Sequence, residues 1–206
     1  VWDKGGEHGP VTEADLVVND MLKARLLAAR PDYGWLSEET PDSPDRLAVD
    51  TVFIIDPIDG TRAFVAGEET YAHSLAIAHQ GRVTAAVVFL PSMDCIYTAS
   101  ESAPPLKDGQ PMAASARDRL EGADILTTKP NLAPEKWPGG VPDIQRHFRA
   151  SLAYRLCLAA EGRFDGMLTL RDAWEWDIAA GSLIAAKAGA LVSDRHGAEL
   201  RFNTPG

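Results

Sequence analysis

Between residues 13 and 29 the apolar positions Val18, Leu22, Leu26 and Ala29 recur at helical spacing, and Thr12 just ahead of them has the side chain of an N-cap. Pro31 ends this predicted helix. The period then shortens. YGWLS (33–37) reads as a strand running into Glu38-Glu39, and TVFIID (51–56) as a second. HSLAIA (73–78), VTAAVVFL (83–90) and CIYTA (95–99), joined at Gln80-Gly81 and Pro91-Ser92, predict an antiparallel meander. Residues 101–122 are rich in Pro, Gly, Ser and charge, so a domain boundary is placed near residue 120, dividing 1–120 from 121–206. Beyond it the pattern alternates. ADILTT (123–128) is a strand, SLAYRLCLAAEG (151–162) a helix closed by Gly162, and FDGMLTL (164–170) a strand. DIAAGSLIAAKAG (177–189) is a helix closed by Gly189, and ALVSD (190–194) is a last strand. A meander followed by strand–helix alternation predicts layers of α and β rather than a simple barrel. The opening VWDKGGEHGP is loop-like and FNTPG closes on no element, so a further helix and further strands are expected beyond the two ends.

Composition narrows the class. The chain has 206 residues, 45% of them hydrophobic and 24% charged, a globular balance. No apolar run is long enough to span a bilayer, so no membrane partner is expected. Cys95 and Cys157 both lie in apolar stretches, which predicts buried free thiols and a reduced, cytoplasmic setting. A net charge of −10 argues against a nucleic-acid polymer as partner, because phosphate neutralisation needs basic patches, but it leaves a small phosphate ester open.

The acids are where the chemistry lies. In FIIDPIDGTRAF, Asp56 and Asp59 stand close together at the end of an apolar run, where two carboxylates repel unless a cation, an arginine or a shared proton intervenes. Asp15 (GPVTEAD), Glu38-Glu39 (WLSEET) and Asp177 (WEWDIAAG) likewise sit beside apolar elements. Hard divalent cations want oxygen ligands from several directions. Pro57 restricts the turn so that Asp56 and Asp59 can point the same way with the Ile58 carbonyl, and the Gly60 and Thr61 amides sit where a helix could start. Singly, each motif has a plainer meaning: an Asp-capped turn, a solvated Glu-Glu pair, a helix cap at Asp177 and an acid in the first turn at Asp15. The spacing also argues against the Asp-x-Asp-Gly-Thr signature of haloacid-dehalogenase phosphatases, whose two acids stand closer in sequence.

Taken together, VTEAD, SEE, DPIDGT and WDIAAG, in this order and covering nearly the whole chain, resemble the inositol monophosphatase superfamily of lithium-sensitive phosphatases. The resemblance implies an α/β (α+β) fold, a layered αβαβα sandwich, and phosphomonoester hydrolysis with two or three Mg²⁺ ions. It implies that Glu38, Asp56 and the Ile58 carbonyl hold the ion that activates water, and that Asp56, Asp59 and Asp177 hold the second. Thr61, hydrogen-bonded with Asp15, would orient the water, and the Gly60 and Thr61 amides would hold the phosphate. Inositol-specific members carry a glutamate where this chain has Leu170, followed by Arg171 and Asp172. The pattern looks closer to the branch hydrolysing 3′-phosphoadenosine 5′-phosphate. Arg171 could meet a second phosphate there or pair with Asp172 at the surface, while Trp174 and Trp176 could flank an adenine or pack in the core. The five histidines have no ligand spacing. Dimers are common in the family, so a homodimer is left open. A non-catalytic relative with the same fold is the alternative.

Overall fold

The computed structural model describes residues 1–3 and 10–205, so the loop-like reading of the first ten residues falls largely outside the described residues. Strands β1 (Trp2–Asp3) and β2 (Pro10–Val11) pair antiparallel ahead of helix α1 (Glu13–Ala29). The helix begins where its cap predicts. The Thr12 hydroxyl accepts from the Ala14 and Asp15 amides at 3.1 and 3.4 Å, and the Asp15 carboxylate returns to the Thr12 amide at 2.8 Å.

The main sheet has seven strands in sequence order. They are β3 (Gly34–Ser37), β4 (Thr51–Asp59), β5 (Ala72–His79), β6 (Arg82–Leu90), β7 (Cys95–Ser100), β8 (Ala103–Lys107) and β9 (Gln110–Pro111). β3 runs parallel to β4 and the remaining pairs are antiparallel. The meander therefore extends into the Pro- and Gly-rich stretch 101–122 that precedes the expected domain boundary. Asp108 and Gly109, with φ of 50° and 76°, form the left-handed two-residue turn that joins β8 to β9. A short helix α2 (Thr61–Val65) bridges β4 and β5.

The second sheet is parallel and ordered β11 (Ile144–His147), β10 (Ala123–Leu126), β12 (Gly166–Met167). Its crossovers carry two 3₁₀ turns (Lys129–Leu132 and Pro134–Lys136) and helix α3 (Leu152–Ala160), and helix α4 (Glu175–Lys187) follows. Two predicted strands do not form as read. FDGMLTL contributes only Gly166–Met167, since its partner β10 ends at Leu126. ALVSD makes no strand among the described residues. The Asp194 amide instead donates to the Ala198 carbonyl at 2.9 Å, closing a turn where no neighbouring strand offers a ladder.

Alternation along β4 sets the layers. Val52 and Ile54 join the core that includes Ala180 and Ile184 of α4 and Leu158 of α3, while Phe53, on the opposite face, meets the Tyr33 and Trp35 rings at 5.2 and 6.3 Å. One hydrophobic core spans the main sheet, α3, α4 and Leu126 of the small sheet. The result is a layered α+β sandwich. α3 and α4 approach closely because residue 181 is glycine. A Cβ there would stand 2.5 Å from Leu156 Cβ. Cys95 and Cys157 are buried free thiols, and among the described residues no helix is long and apolar enough to cross a membrane.

Candidate active site

A strand sends residues i and i+3 to opposite faces, so Asp56 and Asp59 need a correction to share one. The correction is a bulge rather than a turn. Asp56 opposes Ser74 and Asp59 opposes Ala72, so one extra residue is inserted in β4, and the strand carries on through Pro57 to Asp59. The His73 imidazole donates to the Pro57 carbonyl and pins the bulge. Gly60 follows at φ 94°, a left-handed conformation that a side chain would strain, and caps α2.

The other walls are fixed as firmly. Asp59 Oδ2 accepts from the Ser151 hydroxyl and the Ala153 amide, both at 2.6 Å, so this carboxylate sits on the N-terminus of α3. Ser74, opposite Asp56, donates to the Trp176 carbonyl at 3.1 Å and holds the first turn of α4 against β5. That turn carries Asp177. Among the described residues, Asp56, Asp59 and Asp177 bring carboxylate oxygens within 4.8 Å of one another.

Burial makes this arrangement costly without a cation. Asp56 is 2% exposed, and its Oδ1 has no hydrogen-bond partner. Burial, then Glu38, Asp59, Asp177 and Asp15, raise its pKa well above the usual carboxylate range. Burial also raises Asp59, against the hydrogen bonds from Ser151 and Ala153 and the pull of Arg155. Asp177 is pushed up to about 7 by burial, then by Asp59 and Glu38, with Arg171 drawing it down. Three carboxylates from three elements, one with an orphaned buried oxygen, fit a hard divalent cation.

The remaining predicted residues surround this trio. Glu38 lies outside the group but near enough to raise Asp56 and Asp177. Asp15 is fully buried. Its Oδ2 accepts from the Thr12 hydroxyl at 2.6 Å and its Oδ1 from the Thr61 hydroxyl at 3.3 Å. Thr61 also reaches the Ile58 carbonyl at 3.0 Å, so that carbonyl lies on the site side of the bulge. Arg171 is exposed, and it influences Asp177 and Arg155. No ion pair links it to Asp172 among the described residues. Trp174 and Trp176 stack on each other at 5.0 Å. Sequence reading missed Ser151 and His73, although the Ser151 N-cap position was visible ahead of LAYRLCLAA.

The profile of the inositol monophosphatase family matches residues 2–206. The chain belongs to the inositol monophosphatase family. The inositol-1-monophosphatase of Rhizobium meliloti (strain 1021) is 34% identical over 197 residues, covering 91% of this chain and 73% of the relative. The 3′(2′),5′-bisphosphate nucleotidase CysQ of Escherichia coli (strain K12) is 27% identical, covering 95% and 80%. The Nus factor SuhB of Pseudomonas aeruginosa is 34% identical, covering 89% and 72%. Among solved structures, the IMPase of Thermotoga maritima superposes with a TM-score of 0.80 at 28% identity, over 96% of this chain and 77% of that one. In this family member Asp59 is held by Ser151 and Ala153 at the base of the site, a fixed carboxylate rather than a mobile nucleophile.

Proposed function

We propose that the protein is a Mg²⁺-dependent phosphomonoesterase that hydrolyses a small phosphate ester, with 3′-phosphoadenosine 5′-phosphate or an inositol monophosphate as substrate. The observation that carries this reading is the orphaned, buried Asp56 oxygen inside a trio of carboxylates. Glu38, Asp56 and the Ile58 carbonyl would hold one Mg²⁺ and Asp56, Asp59 and Asp177 another; when bound, the ions supply an acidified water and offset charge on the departing oxygen.

The chain's own residues do the positioning. Thr12 locks Asp15, and the one Thr61 hydroxyl proton is directed at Asp15 Oδ1 and the Ile58 carbonyl, which leaves the Thr61 oxygen to accept from an attacking water and orient it. The Gly60 and Thr61 amides hold the phosphate. Ser151 and Ala153 hold Asp59 in place, so this carboxylate does not have to reorganise as charge develops. Arg171 offers a guanidinium to a second phosphate when the substrate has one. The names CysQ and inositol-1-monophosphatase support the two substrate candidates, and the SuhB names keep a non-catalytic relative as the second reading.

Phosphate release from 3′-phosphoadenosine 5′-phosphate, inositol monophosphates and fructose bisphosphate, at varied Mg²⁺ and in EDTA, tests the reading. Mg²⁺-dependent release from at least one ester is expected. No release from any of them would favour the non-catalytic alternative.

A further inference from the structure

Of the described residues of α1, two are buried, and both are polar: Asp15 and Asn19. Its leucines and valines are only partly buried or exposed. Asp15 and Asn19 stand four apart, one helical turn along a single face. Asp15 reaches Thr61, and Asn19 reaches the turn that carries Glu38.

Asn19 is 3% exposed, and its Oδ1 accepts from the Ser37 hydroxyl at 2.8 Å and the Thr40 hydroxyl at 3.3 Å. One side chain thus holds both ends of the segment 37–40, and the two residues between them are Glu38 and Glu39. The segment is also closed on itself. The Thr40 amide donates to the Ser37 carbonyl at 3.3 Å, and the Glu39 amide to the Ser37 hydroxyl at 3.4 Å. The Trp35 indole N–H donates to the Thr40 hydroxyl at 3.1 Å, and the Glu38 amide to the Ile55 carbonyl at 3.3 Å. Ile55 precedes Asp56, so the Glu38 backbone is registered one residue from the buried carboxylate. A buried polar network whose members are satisfied in this way fixes one arrangement of the chain.

We propose that Asn19 is a positioning residue for the Glu38 metal site: it clamps the turn at 37–40 and so keeps Glu38 beside Asp56 before a cation arrives. The proposal rests on Glu38 being a Mg²⁺ ligand in the phosphomonoesterase reading. Glu38 is near enough to Asp56 and Asp177 to raise both, so without a cation the turn has to be held against carboxylate repulsion. The Asn19 amide holds it without adding charge. Leucine at this position would fill similar space but leave the Ser37 and Thr40 hydroxyls without their shared acceptor. Groups that orient a metal ligand typically account for about 10- to 100-fold in metal affinity. The ion held by Asp56, Asp59 and Asp177 depends on β4 and α4 instead, so it should scarcely feel the loss of Asn19.

Isothermal titration with Mg²⁺, in the absence of substrate, compares wild type with Asn19→Leu, Glu38→Gln and the double variant. Asn19→Leu should weaken one Mg²⁺ binding event by roughly tenfold or more and leave the other within about threefold. In the Glu38→Gln background the same substitution should change Mg²⁺ binding little, because the clamp acts through Glu38. If circular dichroism shows that Asn19→Leu does not fold, Ser37→Ala, which deletes one hydroxyl of the clamp, takes its place with the same direction expected. Equal weakening of both events, no weakening, or the same loss with and without Glu38 would overturn the proposal; Mg²⁺-dependent phosphate release by wild type would then leave the phosphatase reading standing. Selective weakening through Glu38, with no ester hydrolysed by wild type, would uphold the positioning role and end the phosphatase reading. No Mg²⁺ binding by wild type would overturn both.

Discussion

Replacing Asp177 by asparagine should stabilise the metal-free protein at neutral pH. Its carboxyl, ordinarily at 3.8, is pushed up to about 7 by burial and then by Asp59 and Glu38. Between those two values the folded chain keeps a proton that the unfolded chain has released. Stability is therefore fully present below about pH 4, falls as pH rises toward 7, and is flat above. At roughly 1.4 kcal/mol per pH unit, the whole window corresponds to an upper bound on the order of 4 kcal/mol. Asp177 also stands in the first turn of α4, where a negative charge is favoured by about 0.3–1 kcal/mol. That term is too small to reverse the sign.

Asparagine keeps the shape and stays neutral, so the gain in Asp177→Asn at pH 7.5 should be about 2–4 kcal/mol, a rise of roughly 5–12 °C in Tm for a chain of this size. Near pH 4.5 wild type is already protonated at this site, and the gain should shrink below about 1 kcal/mol. Thermal unfolding in EDTA, followed by far-UV circular dichroism at both pH values, measures the difference. Equal gains at the two pH values, or none at pH 7.5, would refute the idea that burial and the neighbouring acids keep the Asp177 carboxyl protonated when no cation is bound.

Two further outcomes follow from the same geometry. Mg²⁺ at a hundredfold excess over its Kd should stabilise the folded chain by about 2.7 kcal/mol, and NaCl at equal ionic strength should do much less; equal shifts in Tm would point to general screening. Gly181→Ala should cost about 1–3 kcal/mol and lower Tm, because its Cβ would press on Leu156 Cβ at 2.5 Å and force α3 and α4 apart; an unchanged urea midpoint would show that the helices give way freely.

Local signals carried much of the fold. The Thr12 cap fixed the start of α1, and period-two alternation located β4 to β7. Their limits are equally specific. The β8–β9 hairpin was hidden because Pro104, Pro105 and Pro111 suggested the approach to a domain boundary, although Asp108-Gly109 was the turn signal that could have revealed it. ALVSD has strand composition, but pairing depends on a neighbour that the local sequence does not show. The acids were recognised as one constellation from their motifs. The bulge that aligns Asp56 with Asp59, and the Ser151 hydroxyl that holds Asp59, depend on long-range register and on contact across 92 residues, which no local pattern encodes.

The most direct test is phosphate release by Asp56→Asn beside wild type across a Mg²⁺ titration, with folding checked by circular dichroism. Asp56 is the buried carboxylate whose orphaned oxygen calls for a cation. Wild type should release phosphate in proportion to bound Mg²⁺ and stop in EDTA. The folded variant should be slower by about a hundredfold or more, because several kcal/mol of transition-state charge stabilisation depend on the ions held there. Near-normal, Mg²⁺-dependent release by Asp56→Asn would contradict the assignment of this cluster as the metal site.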